Sequence, residues 1–204
     1  MLRIMKSLMV IVAVAAIAVG ATGAWFSDEE TSNGNSFTAG TLDLNVDGGN
    51  TNVVKFNVSN MRPGSQPTGS WILANVGSIG GYLDLENILV TSQENVCTEP
   101  EISAGDVTCG NPGIGLGELQ NVVNLRLYND VDKDGYISTG DVMIYNGMTG
   151  GIASGYDQNI AIPAGGSVRI NAVFDWWSTP SDNLAQSDSM DLDMTFELGQ
   201  IIGQ

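Results

Sequence analysis

Between Asp130 and Asp141 the chain reads DVDKDGYISTGD, twelve residues in which oxygen donors recur at alternate positions. Carboxylates stand at positions 1, 3 and 5 (Asp130, Asp132, Asp134), and Gly135 at position 6 permits a sharp turn. Tyr136 at position 7 can offer its backbone carbonyl, Ser138 at position 9 can act through a water, and Asp141 closes the loop at position 12. This spacing lets a short loop wrap a hard cation with six or seven oxygens, and calcium is the cation that such a shell suits. The competing reading is an acidic turn left in solvent. Spacing and residue type, met together at five positions, favour the metal loop, and strand-like flanks make it a structural clip rather than a helix-flanked sensor.

Elsewhere the side chains exclude more chemistry than they allow. No histidine occurs among the 204 residues, which removes the commonest general base and the usual ligands of catalytic zinc. Neither a Ser-His-Asp nor a Cys-His set can be assembled. Cys97 and Cys109 bracket TEPEISAGDVT; in an exported chain so close a pair is most simply a disulfide, contributing about 3 kcal/mol on the loop-entropy model. A redox-active pair would stand closer, and a two-cysteine metal site lacks its other ligands. No pair of carboxylates for glycoside hydrolysis stands out from so acidic a background. Trp176 and Trp177 suit either carbohydrate stacking or an aromatic pair in a core or interface at a strand end, the second being the simpler. Asn57 opens an Asn-Val-Ser sequon, a candidate glycosylation site on the surface.

The formal charge is -16. Without the first 24 residues, which contain Arg3 and Lys6, 5 basic side chains face 23 acidic ones, a charge of -18. Nucleic acid and anionic membrane surfaces are therefore poor partners and cations are natural ones.

The elements that must position these groups are strands. Gly is frequent at 26 residues and aromatics make up only 7% of the chain, a balance that favours turns over long helices. Period-two alternation predicts strands over 41–46 and 52–60, joined as a hairpin by DGGNT, and over 70–78 and 81–92. Further strands are expected over 121–129, 142–147, 160–162, 168–174 and 189–200. Residues 93–119 read as an irregular, flexible loop; the glycines at 113, 115 and 117 match no phosphate-binding fingerprint. Eight or more strands with frequent turns predict an all-β chain, most readily a two-sheet sandwich or jelly roll.

Residues 1–24 combine a basic start, an apolar run from Leu8 to Val19 and small residues up to Ala24. They read as a secretory signal peptide cleaved after Ala24, with cleavage after Gly23 as second choice, so that no stable membrane span remains. The alternative is an uncleaved anchor, for which the run is short. Residues 25–40 then form an N-terminal arm and 41–204 the β-sandwich domain. The arm carries Trp25 and Phe26, an aromatic pair that a disordered tail would waste, and an acidic middle that alone reads as a disordered terminus, which is common in exported domains.

Several segments together resemble the TasA/camelysin family of secreted, fibre-forming proteins. These are AWFSD after the leader, SFTAGTLDLNV, NVSNMRPGS with the following WILANVGS, and DNLAQSDSMDLDMTFELGQ at the C-terminus, in the family's order. The disulfide loop and the Asp130–Asp141 loop depart from the best-known bacterial members. The resemblance implies a jelly-roll sandwich and, as in related archaeal bundling pili, filaments in which the N-terminal segment of one subunit completes a sheet of the next. Carried onto this chain, the donor strand would be Trp25, Phe26, Ser27, Asp28, Glu29, Glu30, Thr31 and Ser32, with Phe37 to Val46 returning to the subunit's own sheet. Backbone hydrogen bonds then supply much of the affinity, and the head-to-tail contact does not close. The partners are copies of the chain itself, with related matrix or pilus subunits as further candidates, in an extracellular filament or at the cell surface. Calcium is expected to stiffen the subunit and to relieve repulsion between highly acidic copies.

Two rival readings differ in class. A monomeric, calcium-dependent surface adhesin shares the fold and the metal loop and differs in the fate of the arm. A camelysin-type metallopeptidase would need an all-carboxylate zinc site in a chain without histidine, so the expectation is that the protein is not an enzyme.

Overall fold

The computed structural model describes residues 39–49 and 61–203. The leader, the proposed donor Trp25–Ser32, the strand expected over 52–60 and Asn57 lie outside the described residues. Among those described, nine strands form two antiparallel sheets, which agrees with the all-β class. The first has the order β1 (Leu44–Val46), β2 (Thr68–Asn75), β8 (Ser167–Trp176), β5 (Val123–Asn129), β6 (Val142–Met148).

The second sheet is built around one long strand, β3 (Gly81–Glu94). β9 (Ser189–Gly199) pairs with it from Tyr82–Gly199 to Gln93–Ser189. The opposite edge is shared, with β7 (Tyr156–Ile162) along the first half and the two-residue β4 (Gly113–Ile114) against Gln93 and Glu94.

The pattern of side chains explains both sheets. β5, flanked by β6 and β8, is buried at every residue except Arg126, which is intermediate. Along β9 the even positions Met190, Leu192, Met194, Phe196 and Leu198 turn toward the core while Ser189, Asp191, Asp193, Thr195 and Glu197 face solvent. The two sheets meet over Leu73, Leu83, Leu85, Leu125, Leu127, Ile162, Ile170 and Ala172, all fully buried. Trp71 of β2 packs edge-on against Phe196 of β9, their ring centroids 5.4 Å apart. Arg126 pairs with buried Asp175 at 2.8 Å, so that the one charged residue of β5 is neutralised inside its own sheet.

Residues 93–119 are more ordered than the sequence suggested. Cys97 and Cys109 form the expected disulfide, with Cα atoms 4.8 Å apart. Between them runs a helix, α1 (Glu99–Ala104), started by Thr98, whose N–H donates to Glu101, and ended by Gly105 at φ +83°. A second helical turn, α2 (Leu119–Val122), buries Leu119 and Val122. Six and four residues are too few to show helical periodicity, which is why the segment reads as irregular. Of the glycines at 113, 115 and 117, the last allows close packing. A Cβ on Gly117 would stand 2.7 Å from the backbone of Gln93, so the loop lies directly on the end of β3.

Candidate metal centre and family membership

The Asp130–Asp141 loop connects β5 to β6 and rests on β8. Asp130 is fully buried, at 1% exposure, and its backbone N–H donates to the carbonyl of Arg169. Its Oδ2 accepts from the Gly135 N–H at 2.9 Å and from Asn171 Nδ2 at 2.8 Å, with Arg169 Nε 3.6 Å away. Its Oδ1 is buried with no partner. Gly135, at φ +88°, occupies the left-handed conformation expected at position 6. Lys133 also has positive φ and sends its Nζ out of the loop to Ser167.

The other residues assigned from the sequence divide into those brought together and those left outside. Asp130, Asp132 and Asp141 each present an oxygen within 4.8 Å of the others. Ser138 joins them, its hydroxyl donating to Asp132 Oδ2 at 3.1 Å and its N–H to Asp141 Oδ2 at 2.7 Å. The N–H groups of Ser138 and Val131 hold the Asp141 carboxyl below the usual carboxylate range. Asp134 lies outside the trio and accepts the Tyr136 N–H at 2.7 Å. The ring of Tyr136 is exposed, which leaves its carbonyl as the group that position 7 can offer.

The donor set is oxygen throughout and contains one buried oxygen without a partner, which fits a hard cation. Asp130 would supply its free Oδ1, Asp132 and Asp141 their carboxylates and Ser138 its hydroxyl. Asp130→Ala should be costly even in chelator, because Asn171 Nδ2, the Gly135 N–H and Arg169 would face a void. A loss of about 3 kcal/mol in unfolding free energy is expected in urea titration. Asp134→Ala, at an exposed position, should stay within about 0.5 kcal/mol of the parent.

Two features escaped the sequence reading. Trp176 and Trp177 do not act as a pair: Trp176 is buried with its Nε1 donating to Asp182 at 2.9 Å, while Trp177 is 61% exposed. Period-two alternation at the end of β8 could have separated them. The second feature is an acidic cluster around Glu94 at the far end of β3. Its members lie up to 94 residues apart, and no local spacing announces it.

Among the described residues no helix is long and apolar enough to cross a membrane. A search of curated proteins gave no match. A family model described as camelysin metallo-endopeptidase matches residues 3–204. That span takes in both sheets, the disulfide loop and the acidic loop, and on it the chain belongs to the camelysin family.

Proposed function

We propose that the chain is an exported structural subunit with a jelly-roll scaffold that polymerises head to tail, Trp25–Ser32 of one copy adding as a strand to the next. Calcium held by the Asp130–Asp141 loop stiffens the subunit. The observation that carries this reading is the edge of β9 that faces away from β3. Among the described residues this 11-residue strand is hydrogen-bonded on the β3 side alone. Its core-facing row, Met190 to Leu198, is only half-buried although it packs on the central cluster. An edge of that length with a partly covered apolar row is what strand addition uses. Asp191, Asp193 and Glu197 on its other face repel an arm carrying Asp28, Glu29 and Glu30, so assembly should need salt or a divalent cation.

Negative-stain electron microscopy of the chain from Trp25 onward, with calcium and with chelator, tests the reading. Filaments in calcium that are lost in chelator are the expected result. Monodisperse particles under every condition would replace it with a monomeric calcium-dependent surface adhesin.

The family's description supports a second reading, a metallo-endopeptidase. The metal would need carboxylate ligands and an open position for water, since histidine is absent. Zinc-dependent hydrolysis of a protein substrate that is lost in Asp130→Asn would favour it over the structural role.

A further inference from the structure

Five carboxylates converge where β3 ends. Glu94 is the last residue of β3, Glu101 lies in α1, Asp106 just past it, Glu118 immediately before α2, and Asp188 immediately before β9. Glu94 and Glu101 are fully buried. Oxygens of Glu94, Asp106 and Glu118 lie within 4.8 Å of one another, as do those of Glu94, Glu101 and Asp188, so Glu94 is common to both groups. Gly117, packed on the Gln93 backbone, is what brings Glu118 alongside Glu94.

The outer carboxylates are held from behind. The Thr108 N–H donates to Asp106 Oδ1 at 2.8 Å, and the Thr108 hydroxyl lies 2.7 Å from that oxygen and 3.2 Å from Glu118 Oε1. The Glu118 N–H donates to Asp188 Oδ2 at 2.5 Å. Glu101 accepts from the Thr98 N–H and from the Ser187 hydroxyl. The opposite oxygens, Asp106 Oδ2, Glu118 Oε2, Asp188 Oδ1 and both of Glu94, are buried and have no partner. Among the described residues the side-chain ion pairs are Arg126–Asp175 and Arg169–Asp130, so no basic side chain serves this cluster.

A buried carboxylate without a partner is strongly destabilising, and several sharing one site are more so. The group must therefore take up protons or a cation. Calcium binds oxygens at 2.3–2.6 Å, so its ligands stand up to about 5 Å apart and each trio lies within that limit, while magnesium gives up its waters reluctantly and is seldom held in an all-protein cage. We propose that Glu94, Asp106, Glu118 and Asp188, backed by Glu101, form a buried site for a divalent cation of calcium size. Such an ion fastens the disulfide-closed excursion 97–109 to the end of β3, and this role is independent of whether the chain polymerises.

The test uses the chain from Trp25 onward carrying Asp130→Asn, Asp132→Asn and Asp141→Asn, which silence the other acidic loop. Isothermal titration with calcium should still find one ion per chain, and adding Glu94→Gln should weaken it about 100-fold or more. Calcium at a hundredfold excess over Kd should raise Tm by about 5 °C or more in the background chain and not in the Glu94→Gln chain. In chelator, Glu94→Gln should melt at or above the background, because a repelled buried charge has gone; that melt also certifies its fold. Should Glu94→Gln fail to fold, the half-buried Glu118→Gln serves the same comparison. A background chain that takes up no calcium at millimolar concentration, or a Glu94→Gln chain that binds as well as its parent, would overturn the proposal.

Discussion

A chain lacking Trp25–Ser32 is expected to form no filaments at any calcium concentration, while its Tm in chelator stays within a few degrees of the parent. The reason is a division of labour. The core of the described residues joins the two sheets through Leu73, Leu85, Leu125 and Ile170, and their folding is expected to rest on it, whereas strand addition would rest on the arm. Polymer growth multiplies one contact along the whole fibre, and its removal is therefore total rather than graded. Sedimentation with electron microscopy measures the first quantity and thermal unfolding the second. Persisting filaments would assign assembly to another surface and leave β9 as an ordinary sheet edge.

The second large effect is a loss of stability with rising pH in chelator. Burial, followed by the charges of Asp188, Glu101 and Asp106, pushes the Glu94 carboxyl up to about 7, and burial pushes Asp188 up to about 6. A group that holds its proton more tightly in the folded chain contributes stability that is complete below its unfolded pKa, near 4.5 for Glu94. That contribution is lost as pH rises through about 7. The metal-free chain should therefore melt about 5 °C higher at pH 5 than at pH 8. Asp182 and Asp141 are both held below the usual carboxylate range. Burial opposes the shift at Asp182 and is outweighed by hydrogen bonds from Trp176, Thr179 and Ser178. Both groups act at lower pH, so the interval from 5 to 8 isolates the Glu94 cluster. Glu94→Gln should flatten the profile, and an unchanged slope in that variant would assign the effect elsewhere.

What could be read from the sequence follows from the range over which each signal acts. The alternation of Met190, Leu192, Met194, Phe196 and Leu198 marks β9 because a strand's two faces are written two residues apart. The Asp130–Asp141 loop was legible for the same reason, since its ligand positions are fixed within twelve consecutive residues. Even there, spacing did not distinguish Asp134, which caps Tyr136, from the trio that shares a centre. The Glu94 cluster is assembled from five separate places by the pairing of β3 with β4 and β9. Its members look like ordinary surface charge until the strand register is known. The disulfide was readable and its consequence was not, because the pairing of Cys97 with Cys109 is local while the carboxylates it gathers are distant.

The length of β3 has a consequence for any fibre this chain builds. Fourteen residues at about 3.3 Å each make a strand about 45 Å long, paired from end to end. If the arm adds alongside β9 as proposed, it runs with that strand, so successive subunits would follow one another along it and the strands would lie parallel to the fibre. X-ray diffraction from aligned fibres would then place the interstrand reflection of about 4.8 Å on the equator, where cross-β aggregates place it on the meridian. The meridian would carry orders of a long spacing close to the length of β3, a signature by which a polymer of folded subunits is told from amyloid without resolving a single subunit.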